Sequence, residues 1–130
     1  MQEKIQKLKS LKLLFVEDEP DLIEIITDTL KKLNADFLTA SNGKEALSIM
    51  RENSDISAIV TDINMPVMNG IDMISKLRDE GNQIPIVVMS AHTEEDYKEK
   101  ARNLGVEHYL LKPFDFIRFI ELITDMDIKK

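Results

Sequence analysis

Cysteine is absent from the 130 residues, which excludes a disulfide framework and a thiolate metal site and suits a reducing cytoplasm. Long hydrophobic runs are also missing. Stretches such as Leu13–Val16 and Ile86–Met89 are far too short to span a bilayer. The first ten residues carry charges with no apolar stretch behind them, so they do not read as a secretory signal. Basic charge is in deficit: 17 Lys and Arg stand against 24 Asp and Glu, a net −7. Such a surface repels nucleic acid and anionic lipid over most of its area, so direct nucleic-acid or membrane binding is not expected. No repeat, low-complexity tract or internal linker is visible. The expectation is one cytoplasmic domain, long enough to bury roughly two-thirds of its unfolded surface without staples.

What the chain does contain is a fivefold alternation of short apolar runs with amphipathic stretches. The strand candidates are Lys12–Glu17, Asp36–Ala40, Ala58–Asp62, Ile84–Ser90 and His108–Leu111. Most are continuous apolar runs, as parallel strands covered on both faces require. The second is shorter and more polar, which predicts an edge strand. Between them, Pro20 suits the first turn of a helix that carries Leu22, Ile23, Ile26, Leu30 and Leu33 at helical spacing. Ser41 or Asn42 can cap Lys44–Glu52, Gly70 opens a third helix ending near Gly81, Thr93 can cap a fourth that stops at Gly105, and Asp115 can cap the last. The pattern predicts an α/β fold: a five-stranded parallel sheet, doubly wound as (βα)5, in a three-layer, flavodoxin-like sandwich. Residues 11–130 form this domain. Residues 1–10 stand outside it; Ile5 and Leu8 give them a weak helical face, and the expectation is a frayed tail, because isolated short helices are marginal.

Ligands of open parallel sheets sit beyond the carboxyl ends of the strands. Those ends carry Glu17-Asp18-Glu19, Asp62, Ser90 and, just past the fifth strand, Lys112. Carboxylates gathered on one rim repel one another unless a cation relieves them. Mg²⁺ fits, since it takes hard oxygen ligands and is commonly held by one or two carboxylates plus a phosphate. On this reading Glu17 and Asp18 hold the metal, Asp62 completes the site, and the backbone carbonyl of Asn64 can add an oxygen. Asp62 is also a candidate nucleophile, because a carboxylate can attack phosphorus to form an acyl phosphate. Lys112 can neutralise the transferring group and Ser90 can donate a hydrogen bond to it.

The stretch Thr61-Asp62-Ile63-Asn64-Met65-Pro66-Val67-Met68-Asn69-Gly70 resembles the phosphoacceptor loop of two-component response-regulator receiver domains. Glu17-Asp18 match the family's acidic pair, Ser90-Ala91 its hydroxyl position, and Lys112-Pro113-Phe114 its lysine and proline. Tyr109 stands where the family carries a switch aromatic. Two departures are small: Glu17 replaces the more typical Asp, and Ser90 the more typical Thr. The resemblance implies phosphorylation of Asp62 by a sensor histidine kinase or phosphotransfer protein, with Mg²⁺ as cofactor. It further implies a Ser90–Tyr109 switch, lifetime tuning by Asn64 and His92, and a cis peptide before Pro113 that aims Lys112. No enzymatic turnover is implied beyond self-phosphorylation from small donors and self-dephosphorylation.

Two other classes share parts of this pattern. A haloacid-dehalogenase-type phosphohydrolase also uses a strand-end Asp nucleophile, but needs a second Asp where this chain has Asn64, and a cap domain that is not visible. A flavodoxin-like cofactor carrier needs a phosphate cradle after the first strand, where this chain has Glu17-Asp18-Glu19. A transition-metal site is not expected, because His92 and His108 have no second histidine at ligand spacing. The last helix is richer in apolar residues than one core stripe requires: Phe114, Phe116, Ile117, Phe119, Ile120, Leu122 and Ile123. Two readings stay open there, a partner or dimer surface that includes the fourth helix and fifth strand, and a broadly buried helix. No output module follows the last helix, so the sequence reads as a stand-alone switch or a piece of a larger regulator, with its output protein or domain unknown.

Overall fold

The computed structural model describes residues 2–90, 95–112 and 115–126. Thr93, the expected helix cap, and Ala91, His92, Pro113 and Phe114 lie outside these residues. Five strands, β1 (Lys12–Val16), β2 (Asp36–Ala40), β3 (Ala58–Asp62), β4 (Ile86–Ser90) and β5 (His108–Leu111), form one parallel sheet in the order β2-β1-β3-β4-β5. The polar β2, with three half-buried residues and one exposed, is indeed an edge. Central β3 and β4 are buried at every position, because helices cover both of their faces.

Among the described residues six helices surround the sheet: α1 (Gln2–Lys9), α2 (Pro20–Lys32), α3 (Gly43–Glu52), α4 (Gly70–Asp79), α5 (Glu95–Asn103) and α6 (Phe116–Asp125). Side chains alternate across each strand, and so does the packing. Leu14 and Val16 of β1 join Ala46, Leu47, Ile71, Ile74 and Ala101 of α3, α4 and α5. Leu13 and Phe15 join Leu8, Ile26, Leu30, Phe119 and Ile123 of α1, α2 and α6. The result is the three-layer sandwich that the alternation predicts. Helix ends follow local chemistry. Asn42, Asn69 and Asp115 each accept a hydrogen bond from the backbone N–H three residues on, at 2.7–2.9 Å. Gly81 and Gly105 leave α4 and α5 with φ of 82° and 84°, the left-handed conformation that suits glycine.

The expected frayed tail is instead the helix α1, docked on α6. Leu8 and Leu11 are fully buried, Lys7 Nζ donates to the Thr124 carbonyl, and Lys4 Nζ lies 3.1 Å from Asp125 Oδ1. A short helix is marginal alone but not against an apolar partner. α6 has no basic residue in its own last turn, so α1 supplies cations to its carbonyl end. The same contact explains the apolar surplus of α6. Phe119, Ile120 and Ile123 are buried, Phe116 and Leu122 are partly buried against the same cluster, and Ile117 stays 60% exposed.

Candidate functional site

The strand-end residues do converge. One carboxylate oxygen from each of Glu17, Asp18 and Asp62 lies within 4.8 Å of the others, and this is the group of metal-capable side chains found among the described residues. Glu17 is 1% exposed and Asp62 is buried, whereas Asp18 is exposed. The Glu17 N–H still donates to Ala40 O at 3.0 Å, so the β1–β2 ladder runs on to this residue and carries its side chain to the rim.

Lys112 stands between two of these acids. Its Nζ is 2.7 Å from Glu17 Oε1 and 3.2 Å from Asp62 Oδ2. Burial alone lowers the ammonium pKa, but the Glu17 hydrogen bond and the Asp62 and Glu17 charges outweigh it, and the net direction is upward. The other oxygen of Glu17 accepts from the backbone N–H groups of Asp18 and Glu19, at 3.0 and 3.1 Å, so this carboxylate also fixes the turn that leads into α2. Asp62 Oδ1 accepts from the Ile63 N–H at 2.8 Å. Three carboxylates against one ammonium leave a local surplus of negative charge. Hard oxygen donors with that surplus suit a divalent cation such as Mg²⁺, and lone pairs remain on all three acids.

β4 delivers the next group. Asp62 pairs in register with Met89, which places Ser90 one residue beyond it on the neighbouring strand. The Ser90 hydroxyl is fully buried and has no hydrogen-bond partner among the described residues. A buried unpaired hydroxyl is costly and calls for a reason. The Lys112 N–H donates to Ser90 O at 2.8 Å, so the β4–β5 ladder also sets where the lysine begins.

The loop from Ile63 to Asn69 is tightly closed. The Gly70 N–H donates to Ile63 O at 2.8 Å, and a Cβ at Gly70 would stand 2.2 Å from the Asp62 carbonyl oxygen, so only glycine fits. At the tip, the Met68 N–H donates to Pro66 O at 2.7 Å around Val67, whose φ is 68°. That conformation is an outlier for a β-branched residue. Val67 is 78% exposed, and Asn64 is exposed as well.

Tyr109, on β5, is half-buried. Its hydroxyl donates to Lys98 O on α5 at 2.8 Å and lies 3.1 Å from Val106 O. Burial raises its pKa, with Arg102 opposing and Glu107 adding to the shift. The ring therefore bridges the sheet edge and α5 rather than touching the acids.

The response regulator receiver domain model matches residues 13–124. This chain belongs to that family. It is a receiver domain of two-component signalling. The chemotaxis protein CheY1 of Helicobacter pylori is 36% identical over 107 residues, which cover 80% of this receiver and 86% of the relative. Among solved structures, a response regulator receiver domain protein of Clostridium thermocellum superposes with a TM-score of 0.81 at 27% identity, over 88% of this chain and 92% of the other. The receiver domain of Saccharomyces cerevisiae Ssk1, solved with the histidine phosphotransfer protein Ypd1, gives 0.79 at 28% identity over 88% and 86%.

The structure of this receiver brings Glu17, Asp18, Asp62 and Lys112 into one cluster and sets Ser90 on the adjacent strand end, while Tyr109 sits apart. His92 and the Lys112–Pro113 peptide fall outside the described residues. His108 is at the start of β5, the opposite end of the strand from Lys112. No helix among the described residues is long and apolar enough to cross a membrane. Sequence reasoning missed Gly43. The Gly43 N–H donates to Met68 O at 2.9 Å, and the one available signal was its place directly after the cap residue Asn42.

Proposed function

We propose that Asp62 is the phosphoacceptor of this receiver, taking a phosphoryl group from a histidine kinase or a histidine phosphotransfer protein. The carrying observation is the Asp62 carboxylate held 3.2 Å from Lys112 Nζ, with the unpartnered hydroxyl of Ser90 on the next strand. A carboxylate oxygen of Asp62 attacks phosphorus, the phosphorus–nitrogen bond of the phosphohistidine breaks, and its electron pair stays on the imidazole. Glu17, Asp18, Asp62 and the Asn64 carbonyl would hold Mg²⁺, which supplies charge neutralisation to the phosphoryl oxygens when bound. Lys112 gives a second positive charge on the same side. Water later attacks phosphorus, the acyl phosphate bond breaks, and Asp62 is restored with release of inorganic phosphate.

The signal leaves through the hydroxyl. Ser90 donates to a phosphoryl oxygen, which satisfies the buried group that lacks a partner and draws the segment after β4 toward the site. Tyr109 then exchanges its bonds to Lys98 and Val106 for a place nearer β4, and the face formed by α5, β5 and α6 changes. That face would meet the output partner or a second copy. Asn64 and His92 would tune the phosphorylated lifetime. Among the described residues, four large apolar side chains stay exposed, Ile25, Val67, Leu111 and Ile117. Val67, Leu111 and Ile117 belong to the loop after β3, the end of β5 and the start of α6, around the Asp62 rim, where a donor protein must approach. Work in the cytoplasm follows from such a donor. The test is incubation with acetyl phosphate and Mg²⁺ followed by intact-mass measurement. One phosphoryl mass should be added, and none in Asp62→Ala; addition that survives Asp62→Ala would refute the assignment.

A further inference from the structure

We infer that Gly43 is a positioning residue for the phosphoacceptor loop, gripping Met68 from α3. The inference rests on the phosphoacceptor reading of Asp62 and names a group on a separate element that the reaction depends on.

Gly43 is the buried first residue of α3. Its φ is not positive, so conformational freedom is not why glycine stands there. Space is the reason. A Cβ at this position would lie 2.9 Å from Met68 Cγ, 2.9 Å from Met68 O and 3.0 Å from Asn69 O. Two of those atoms are backbone and cannot rotate away. The Gly43 N–H uses the same close approach to donate to Met68 O at 2.9 Å. It is one of the first N–H groups of a helix, which find no carbonyl within their own helix. Asn42 caps that turn by accepting from the Glu45 N–H at 2.9 Å, and so keeps the donor pointed outward.

The loop is thus held at two places. Its neck is closed by the Gly70 N–H on Ile63 O, and its far side by Gly43 on Met68. Between these anchors Val67 is kept at φ 68° although its side chain is mostly in solvent and returns little packing. Local strain of this kind persists where the surroundings over-determine it. The α3 grip keeps the Asn64 carbonyl and the Asp62 carboxylate at a fixed separation, and displacements near 1 Å in such positions cost about a hundredfold in rate.

The experiment compares the full chain with Gly43→Ala and Gly81→Ala. Gly81 has φ 82° and open space for at least 4 Å around the place a Cβ would take, so its alanine variant strains the fold far from the loop and controls for general destabilisation. Labelling by acetyl phosphate is followed by intact mass over a Mg²⁺ series, and exchange of the Gly70 amide is followed by NMR without metal. Gly43→Ala should label at least about tenfold more slowly than both wild type and Gly81→Ala. It should need more Mg²⁺ for half its maximal rate and should exchange the Gly70 amide faster. Labelling within twofold of wild type, or an equal loss in Gly81→Ala, overturns the inference. If Gly43→Ala does not fold, Asn42→Ala loosens the same turn without a clash; slower labelling there supports the grip and an unchanged rate overturns it. If wild type takes no phosphoryl mass, the reading of Asp62 fails instead, and the Gly70 exchange rate still decides whether Gly43 holds the loop.

Discussion

Lys112 and Glu17 form the shorter of the two ion pairs at the rim: Nζ and Oε1 are 2.7 Å apart, with the Glu17 side chain 1% exposed and that of Lys112 24% exposed. The pair joins the ends of β1 and β5, which are not neighbours in the sheet. Replacing Lys112 with Met leaves a buried carboxylate beside Asp62 without its cation. The fold should lose about 2 kcal/mol, read from urea unfolding in the absence of divalent metal. An unchanged midpoint would show that the pair carries no net stability.

The same pair sets an alkaline limit. The pKa of Lys112 is raised in the folded protein above its ordinary 10.5, and that of Tyr109 above its ordinary 10.0. A group whose folded pKa is raised binds more protons folded than unfolded, so stability is fully present below the unfolded value and falls as pH rises through the folded one. Between about pH 6 and 9, a unit or more below the lower ordinary value, both contributions are fully present and neither group should make stability depend on pH. Above about pH 10 the melting temperature should fall, and Lys112→Met and Tyr109→Phe should each remove part of that fall. Melting curves at closely spaced pH values measure it.

Asp18 is the exposed member of the acidic group; on the proposed Mg²⁺ site its charge would repel Glu17 and Asp62 without the ion and attract the ion when it binds. Asp18→Asn should therefore raise the melting temperature in EDTA and shrink the rise produced by Mg²⁺. For wild type that rise corresponds to about 2.7 kcal/mol at a metal concentration roughly a hundred times the dissociation constant. Equal Mg²⁺ shifts in both proteins would remove Asp18 from the ligand set.

Gly70→Ala forces a Cβ to within 2.2 Å of the Asp62 carbonyl oxygen. The oxygen is backbone and the Cβ position is set rigidly by the backbone, so the loop must move. A loss of about 3 kcal/mol is expected in denaturant unfolding, together with slower labelling of Asp62.

Leu8→Ala tests whether α1 is part of the folding unit. Leu8 is 0% exposed among Leu11, Phe119 and their neighbours, and its truncation should cost about 2–4 kcal/mol. A surface tail, the expectation from sequence, would show no change.

The sequence by itself determined the alternation of strands and helices, the polar edge strand, the Asp115 cap, a cap at Ser41 or Asn42, and the order of acids, hydroxyl and lysine along the chain; the Asn69 cap came from the structure. These are local properties: periodicity, turn chemistry and the rule that strand ends bear the site. The candidate cluster was legible for that reason, since Glu17, Asp62, Ser90 and Lys112 each sit at or just past the end of a strand. Only the tertiary structure decided which strands lie side by side, that Lys112 crosses to Glu17, that α1 covers α6, and that Gly43 meets Met68. Each of those contacts joins residues far apart in sequence. Their free energy comes from buried area and from groups with no other partner, and no local pattern carries that information.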